Sequence, residues 1–140
     1  MKIYTALILT STCWLAGSIA AQTLTVEITG IKSDQGKILL QLFNSKKNYQ
    51  SNNAYSANMT KAKQGIVSVT FNNLEAGEYA IRYFHDENDN GKLEQNLFGM
   101  PVEGYGFSNN AKADFGPVSF DDMKVTITDQ NLVTHSSVQY

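Results

Sequence analysis

The chain has 140 residues, with 11 basic and 13 acidic side chains, one cysteine and 42% hydrophobic residues. This length supports one domain rather than two, and the hydrophobic fraction is large enough for a folded core, which excludes a disordered chain. A pI of about 5.6 excludes a general nucleic-acid binder, because such a protein needs a basic surface to neutralise phosphates.

The first 21 residues have the composition of an export signal. Of these residues 14 are hydrophobic and Lys2 is the only charged one, and small residues precede the cleavage expected after Ala20 or Ala21. The apolar run is shorter than the ~20 residues that a membrane-spanning helix needs. We therefore expect a periplasmic or secreted domain over 22–140, with no transmembrane segment. Loss of Cys13 with the signal would leave this domain without thiol or disulfide chemistry.

Six segments of the remaining chain carry the hydrophobic pattern of β-strands. Most of them alternate apolar and polar residues, which is the period of a half-buried strand, whereas the second has the more continuous apolar run of a more fully buried one. The predicted strands are 24–29, 38–43, 66–71, 77–84, 123–128 and 132–140. The last two are expected to pair through a turn at 129–131, and 44–64 is expected to be a long polar connection with one helical turn. Ser119 is positioned to cap another short helical turn.

Six or seven short strands in one domain predict an all-β fold, an antiparallel β-sandwich. No segment shows a long helical repeat, so helices are not expected to form a layer of their own. The alternation assigns one face of each strand to the core. The residues predicted to face inward are Val26, Ile28, Leu40, Leu42, Val69, Phe71, Tyr79, Ile81 and Ile127.

The charge distribution marks one long segment, 85–122, as different from the rest of the domain. It holds eight acidic and two basic residues, a net charge of −6, together with both prolines. The rest of the domain has five acids and eight bases, a net charge of +3. A connection this long is uncommon unless it is functional or held in place. We expect it to lie over one end of the sandwich as an acidic, turn-rich loop.

One stretch at the start of this segment matches the beginning of a calcium-binding loop. Asp86, Asn88 and Asn90 occupy positions one, three and five, and a glycine follows at position six. Calcium takes about six to eight oxygen ligands, and side chains at alternate positions can direct their oxygens to one point. The Lys92 carbonyl group and the Glu94 side chain would extend this set of oxygens.

The match ends before the position that closes a full site. Position twelve, a bidentate glutamate in the complete pattern, is Leu97 here. We therefore expect a weak calcium site, with a dissociation constant of ~10⁻⁴–10⁻³ M as in extracellular modules, that needs a distant acid. Glu103 is the first candidate, because Pro101 and Gly104 bracket it in a bend, and Asp114 is the second. The same residues would also form a metal-free turn, since Asn and Asp bond their own backbone, and the sequence leaves both interpretations open.

Three stretches of the domain have a distinctive sequence, namely 74–80 (LEAGEYA), 85–94 (HDENDNGKLE) and 99–110 (GMPVEGYGFSNN). Together they resemble a bacterial family, the domain of unknown function numbered 2141. The resemblance implies an exported single domain and a further relation to transthyretin-type and surface-protein B-type sandwiches, in which a Pro-Gly-x-Tyr strand precedes a calcium-like turn. Here Glu75 and Ala76 replace the commoner prolines. The family implies no substrate and no activity.

The adjacent residues His85 and Asp86 are the candidates for acid–base chemistry. Neighbouring residues on a strand point to opposite faces, so they are not expected to form a dyad. Two histidines without accompanying cysteines also do not indicate a zinc site.

Two hypotheses about function follow. The first is a non-enzymatic binding or structural module with a calcium-stabilised loop and a protein or glycan partner. The second is a small hydrolase or small-ligand carrier that uses the acidic surface around His85 and Asp86. A large apolar pocket beside His85 would favour the second hypothesis, and oxygens converging on a filled end would favour the first.

Overall fold

Eight β-strands, two short α-helices and one 3₁₀ turn make up the part of the chain that the computed structural model describes, residues 21–113 and 116–140. Residues 1–20 of the predicted signal peptide 1–21 lie outside this part, and so does Asp114. The strands are β1 (Gln22–Ile31), β2 (Lys37–Phe43), β3 (Ser56–Lys61), β4 (Gly65–Leu74), β5 (Gly77–Asp86), β6 (Tyr105–Phe107), β7 (Val125–Ile127) and β8 (Leu132–Ser137). The helices are α1 (Lys46–Gln50) and α2 (Phe120–Met123), and the 3₁₀ turn is Ser108–Asn110. Within the described residues, no helix has the length and apolar character needed to cross a membrane.

The strands form two sheets. In the first, the order is β4-β1-β8, with β1 antiparallel to β4 and parallel to β8. In the second, the order is β3-β2-β5-β6, with antiparallel pairs throughout, and β7 pairs with the beginning of β5. The predicted β-sandwich is therefore confirmed, with the difference that one of its strand pairs is parallel.

Two predictions about local structure are wrong. The segments 123–128 and 132–140 do not pair with each other, because β7 pairs with the beginning of β5 and buries Val125 and Ile127 there, while β8 crosses to the first sheet. The segment 44–64 is not only a polar connection, because it contains α1 and the strand β3. The side chains of β3 are half-buried or exposed, so this edge strand shows none of the hydrophobic alternation that reveals a strand.

The space between the sheets is filled by apolar side chains from both of them. All nine residues predicted to face inward are buried there, which confirms the assignment of strand faces. A second, smaller cluster lies around α2, and its buried members are Phe43, Ala80, Val118, Phe120 and Met123. Ser119 caps α2 as predicted, with its Oγ accepting the N–H group of Asp122 at 3.2 Å.

The outer faces of the two sheets differ in their chemistry. On the first sheet, Thr25, Glu27 and Thr29 of β1 alternate with buried residues; Thr25 bonds Thr70 at 2.9 Å, and Glu27 pairs with His135 at 3.0 Å. This polarity is usual for a sheet that has one face in solvent. The second sheet instead carries large apolar and aromatic side chains on its outer face.

Candidate functional site

We define residues 86–94 as the Asp/Asn loop. Asp86 is its first residue, and its side chain fixes the turn at the start of the loop. It is the last residue of β5, and it is only 1% exposed. Its two carboxylate oxygens accept the backbone N–H groups of Asn90 at 3.0 Å and of Gly91 at 2.8 Å. These bonds draw the chain into a tight turn, in which Gly91 has a φ of 74°, a conformation that glycine adopts without steric cost.

Glu103 returns to the Asp/Asn loop, as the bend around it predicts. It is 5% exposed, and its Oε1 and Oε2 accept the N–H groups of Glu87 at 3.0 Å and of Glu94 at 3.2 Å. One carboxylate thus ties both halves of the loop to the segment that follows. Neither Asp86 nor Glu103 forms an ion pair with a lysine or arginine of the described residues. Both buried negative charges are stabilised there by backbone N–H groups.

Asn88, Asn90 and Glu94 meet on the exposed side of the loop. The Nδ2 groups of both asparagines donate to Glu94 Oε1 at 2.9 Å, while their Oδ1 atoms accept the N–H groups of Asn90 and Lys92. The predicted ligand residues are therefore joined in one network with Asp86. Among the described residues, no three acidic, histidine or cysteine side chains form a group of the kind that holds a metal ion.

The donor set fits a hard cation such as calcium. Asp86, Glu94 and Glu103 offer carboxylate oxygens and the two asparagines offer amide oxygens, which are the ligand types that calcium prefers. A carboxylate oxygen that accepts one N–H group retains a further lone pair for a cation. The same hydrogen bonds also complete a metal-free turn, so the calcium site stays a prediction.

His85 does not provide an accessible base. It is fully buried, and its Nε2 lies 2.7 Å from the carbonyl oxygen of Gln35, an atom that can only accept a hydrogen bond. Nε2 therefore carries the proton when the ring is neutral, and Nδ1 accepts the hydroxyl group of Tyr140 at 2.7 Å. Asp86 points to the opposite face of β5, so the two residues form no dyad.

The outer face of the second sheet is the floor of an open cleft. The strand registers place its side chains in two cross-strand rows. We call the first the apolar row, which consists of Met59, Leu39, Phe84 and Tyr105. We call the second the arginine row, which consists of Ala57, Gln41, Arg82 and Phe107. Polar residues are usual at such outward positions, so an apolar floor of this kind is unusual for a sheet face in contact with solvent.

Two other regions of the protein line the cleft together with this floor, and the second combines α1 with residues 113 and 116–118. The Asp/Asn loop and the residues after it supply Gly91, Leu93, Gln95, Gly99 and Pro101. The second region comprises Tyr49, Ala113, Gly116, Pro117 and Val118. The cleft has a volume of about 840 Å³, which lies in the range of about 300–1,000 Å³ that is typical of small-molecule sites.

Arg82 is the only charged residue among the described residues that line the cleft. Its Nε–H group donates to Gln41 Oε1 at 2.7 Å, its Nη2 donates to Asn52 Oδ1, and the guanidinium lies 5.0 Å from the ring centroid of Phe43. Burial lowers the pKa of Arg82 from its ordinary value, partly offset by Tyr49. These contacts hold a cation in a defined position within an otherwise uncharged floor.

The rim of the cleft carries exposed apolar side chains. Leu97 and Phe98 are 101% and 88% exposed, and Met100 is 61% exposed. Their neighbours Gly99 and Pro101 line the cleft. The segment that follows the Asp/Asn loop therefore presents apolar side chains to solvent beside the apolar floor of the cleft, and a large exposed apolar patch is uncommon on a soluble monomer.

The cleft was not predicted from the sequence. The available signal was the second predicted strand, whose apolar run left Leu39 on the face opposite the core. Phe84, the last residue of the predicted strand 77–84, gave a similar signal, because it also is a large apolar residue outside the predicted core face. Only the pairing of β2 with β5 shows that these two residues lie side by side.

The chain was compared with known proteins. A family model described as an uncharacterized protein conserved in bacteria (DUF2141) matches residues 26–135. This range includes most of both sheets, the Asp/Asn loop and the cleft. No curated protein and no solved structure matches the chain. The resemblance to this family is therefore confirmed, while the relation to transthyretin-type sandwiches stays a prediction.

Proposed function

The chain belongs to the bacterial family DUF2141, and we propose that it is an exported, non-enzymatic binding module that holds a small apolar ligand in the cleft. One observation carries this proposal. The described residues that line the cleft include apolar and aromatic side chains but no Asp, Glu, His, Cys, Ser or Thr. Such a lining favours the burial of apolar surface and lacks the nucleophiles and bases that hydrolysis requires.

A small ligand agrees better with the cleft than the protein or glycan partner expected from the sequence. The volume of about 840 Å³ suits a single small molecule. A glycan would need many hydrogen-bonding groups for its hydroxyls, whereas the polar side chains in the two rows of the floor are Gln41 and Arg82, beside the aromatic rings. The hydrolase alternative gains no support, because His85 is buried and does not line the cleft.

Calcium has a structural part in this proposal. The Asp/Asn loop supplies Gly91 and Leu93 to the lining of the cleft, so an ion that stabilises the loop would also stabilise that wall. The support is the pair of buried carboxylates, Asp86 and Glu103, without a cationic partner among the described residues. Buried charges usually have an ionic partner or bind a metal. A higher melting temperature in millimolar calcium than in chelator is the expected result.

The binding proposal is tested with N-phenyl-1-naphthylamine, a neutral apolar dye whose fluorescence rises on burial. We expect saturable binding to the exported protein. Phe84→Gln should weaken binding about tenfold or more, because burial of an aromatic side chain is worth about 1.5–3 kcal/mol. Ile66→Gln is the matched control, since Ile66 is 51% exposed on the other sheet. Absence of saturable binding, or equal losses in both variants, would overturn the proposal.

A further inference from the structure

Arg82 is a half-buried cation that forms no ion pair with an acidic residue in the described part of the chain. No Asp or Glu among the described residues lies within salt-bridge distance of its guanidinium, although acids outnumber bases in the chain by 13 to 11. Arginine is seldom buried without a partner for its charge. The two acceptors that it does have, Gln41 and Asn52, are neutral amides, so they orient the guanidinium without neutralising it.

The remaining donors of Arg82 are available to a ligand. A guanidinium has five N–H groups in a fixed plane, and those used within the described residues are one on Nε and one on Nη2. Both terminal nitrogens therefore retain N–H groups, which is the arrangement that binds a carboxylate with two parallel hydrogen bonds. The contact with the Phe43 ring limits the rotation of the side chain.

The position of Arg82 relates this cation to the apolar part of the cleft. Arg82 lies in the arginine row beside Gln41 and Phe107, one row away from Leu39 and Phe84. Residues two apart on a strand are separated by about 7 Å. Arg82 also borders a second cavity of about 500 Å³, so it lies where the apolar cleft meets a more polar region. A ligand with an apolar body and one anionic group would therefore fit the cleft, with the apolar body over the apolar row and the anionic group beside Arg82.

We propose, resting on the function proposed above, that the ligand is a small amphipathic carboxylic acid. Its apolar body lies over Leu39, Phe84 and Tyr105, and its carboxylate binds Arg82. One negative charge matches the single cation in the described lining of the cleft. Lys46 lines the adjoining cavity but is paired with Asp121 at 3.0 Å, so the second negative charge of a phosphate monoester would compete with that ion pair. The Arg82–carboxylate pair is a charge-assisted hydrogen bond, which is stronger than a bond between neutral groups.

The test compares an acid with a neutral molecule of the same chain length. Dodecanoic acid and 1-dodecanol are titrated separately against N-phenyl-1-naphthylamine bound to the exported protein. We expect the acid to bind about tenfold to a hundredfold more tightly than the alcohol, because a hydrogen bond to a charged group adds this much. Arg82→Gln should remove this preference, because the affinity for the acid should fall by much more than the affinity for the alcohol. Arg82→Lys retains the charge but not the planar guanidinium, so it should retain part of the preference for the acid.

Lys61→Gln is the matched control, because it removes a cation from the same sheet at a residue that does not line the cleft. It should change neither affinity. Equal affinities of the acid and the alcohol in the unchanged protein would overturn this inference while leaving the binding module intact, and this comparison needs no variant to fold. A uniform loss of both affinities in Arg82→Gln would also overturn it. Binding of neither molecule, with no binding of the dye, would instead refute the proposed function itself.

Discussion

The hydroxyl group of Tyr83 lies 2.7 Å from Ser136 Oγ, and this hydrogen bond joins the two sheets in the interior of the protein. Tyr83 and Ser136 are 3% and 2% exposed. Ser136 Oγ also donates to the carbonyl oxygen of Phe107 at 2.7 Å, so Tyr83 is the donor and Ser136 the acceptor. The contact connects β5, β8 and β6 on the core side of the second sheet.

We predict that Tyr83→Phe destabilises the protein at neutral pH and reduces its sensitivity to alkali. Loss of the buried hydrogen bond should cost about 1 kcal/mol. Burial raises the pKa of Tyr83 from 10.0 to about 12, although the bond to Ser136 lowers it. Because the folded state holds this proton more tightly, the stabilisation is complete below pH ~10 and is lost as the pH rises to ~12. A pKa difference of this size between the unfolded and folded states corresponds to about 2–3 kcal/mol of unfolding free energy.

Urea unfolding of the unchanged protein and of Tyr83→Phe at several pH values between neutral and alkaline checks this prediction. The difference in unfolding free energy between the two proteins should narrow or reverse above pH ~10. A constant difference over the whole range would show that Tyr83 does not titrate in the folded protein within it.

We predict that Glu103→Gln reduces the stabilisation by calcium. An ion that binds only the folded state adds RT ln(1 + [L]/Kd), about 1.4 kcal/mol at ten times Kd, which shifts the melting temperature by several degrees. Thermal melts in chelator and in millimolar calcium are compared for the unchanged protein, Asp86→Ala and Glu103→Gln. The absence of a shift in the unchanged protein would favour the metal-free turn. A full shift in Glu103→Gln would remove Glu103 from the calcium site.

We predict that Phe71→Ala lowers the unfolding free energy by about 3–5 kcal/mol, because removal of a buried aromatic ring loses transfer energy and leaves a cavity. Phe71 is 4% exposed in the main core. Ile66→Ala on the same strand is the control, because Ile66 is 51% exposed, and it should change stability by about 0.5 kcal/mol or less. Denaturant unfolding measures both variants. A cost below about 1 kcal/mol for Phe71→Ala would contradict the packing described here.

We predict that Gly36→Ala is far more destabilising than Gly65→Ala, although both glycines have positive φ, 69° and 96°. A Cβ atom on Gly36 would lie 1.8 Å from the carbonyl oxygen of Asp86, whereas one on Gly65 has no heavy atom within 4 Å. Gly65→Ala should therefore cost only the backbone strain of about 1–2 kcal/mol. Gly36→Ala must also displace the start of the Asp/Asn loop, so denaturant melts should give a loss at least about 2 kcal/mol larger.

We predict that the exported protein begins at Ala21 or Gln22. The reason is the pattern of one basic residue, an apolar stretch and small residues before the cleavage position. Intact mass spectrometry of protein recovered from the periplasm or the medium measures this directly. Recovery of a species that retains Cys13 would contradict the prediction.

The sequence by itself determined the fold class and the inward faces of the strands. Alternation with period two reports which side of a strand is buried, and it identified Val26, Phe71 and Ile81 as core residues without knowledge of their partners. It also located the Asp/Asn loop, because the glycine and the short polar side chains of a tight turn are local requirements. The bend at Glu103 was likewise predicted from neighbouring residues, because Pro101 and Gly104 flank it.

Only the tertiary structure decided the strand partners and the cleft. A hairpin of β7 and β8 satisfies every local rule, yet β7 pairs with β5 and β8 with β1, because pairing depends on which sheet edge each strand completes. Leu39 and Phe84 are far apart in the sequence and become neighbours only through the register of β2 and β5. Whether an outward apolar residue is isolated or part of a binding surface depends on such neighbours. The position of Arg82 among these neighbours also depends on sheet pairing, and the local periodicity of the sequence does not predict that pairing.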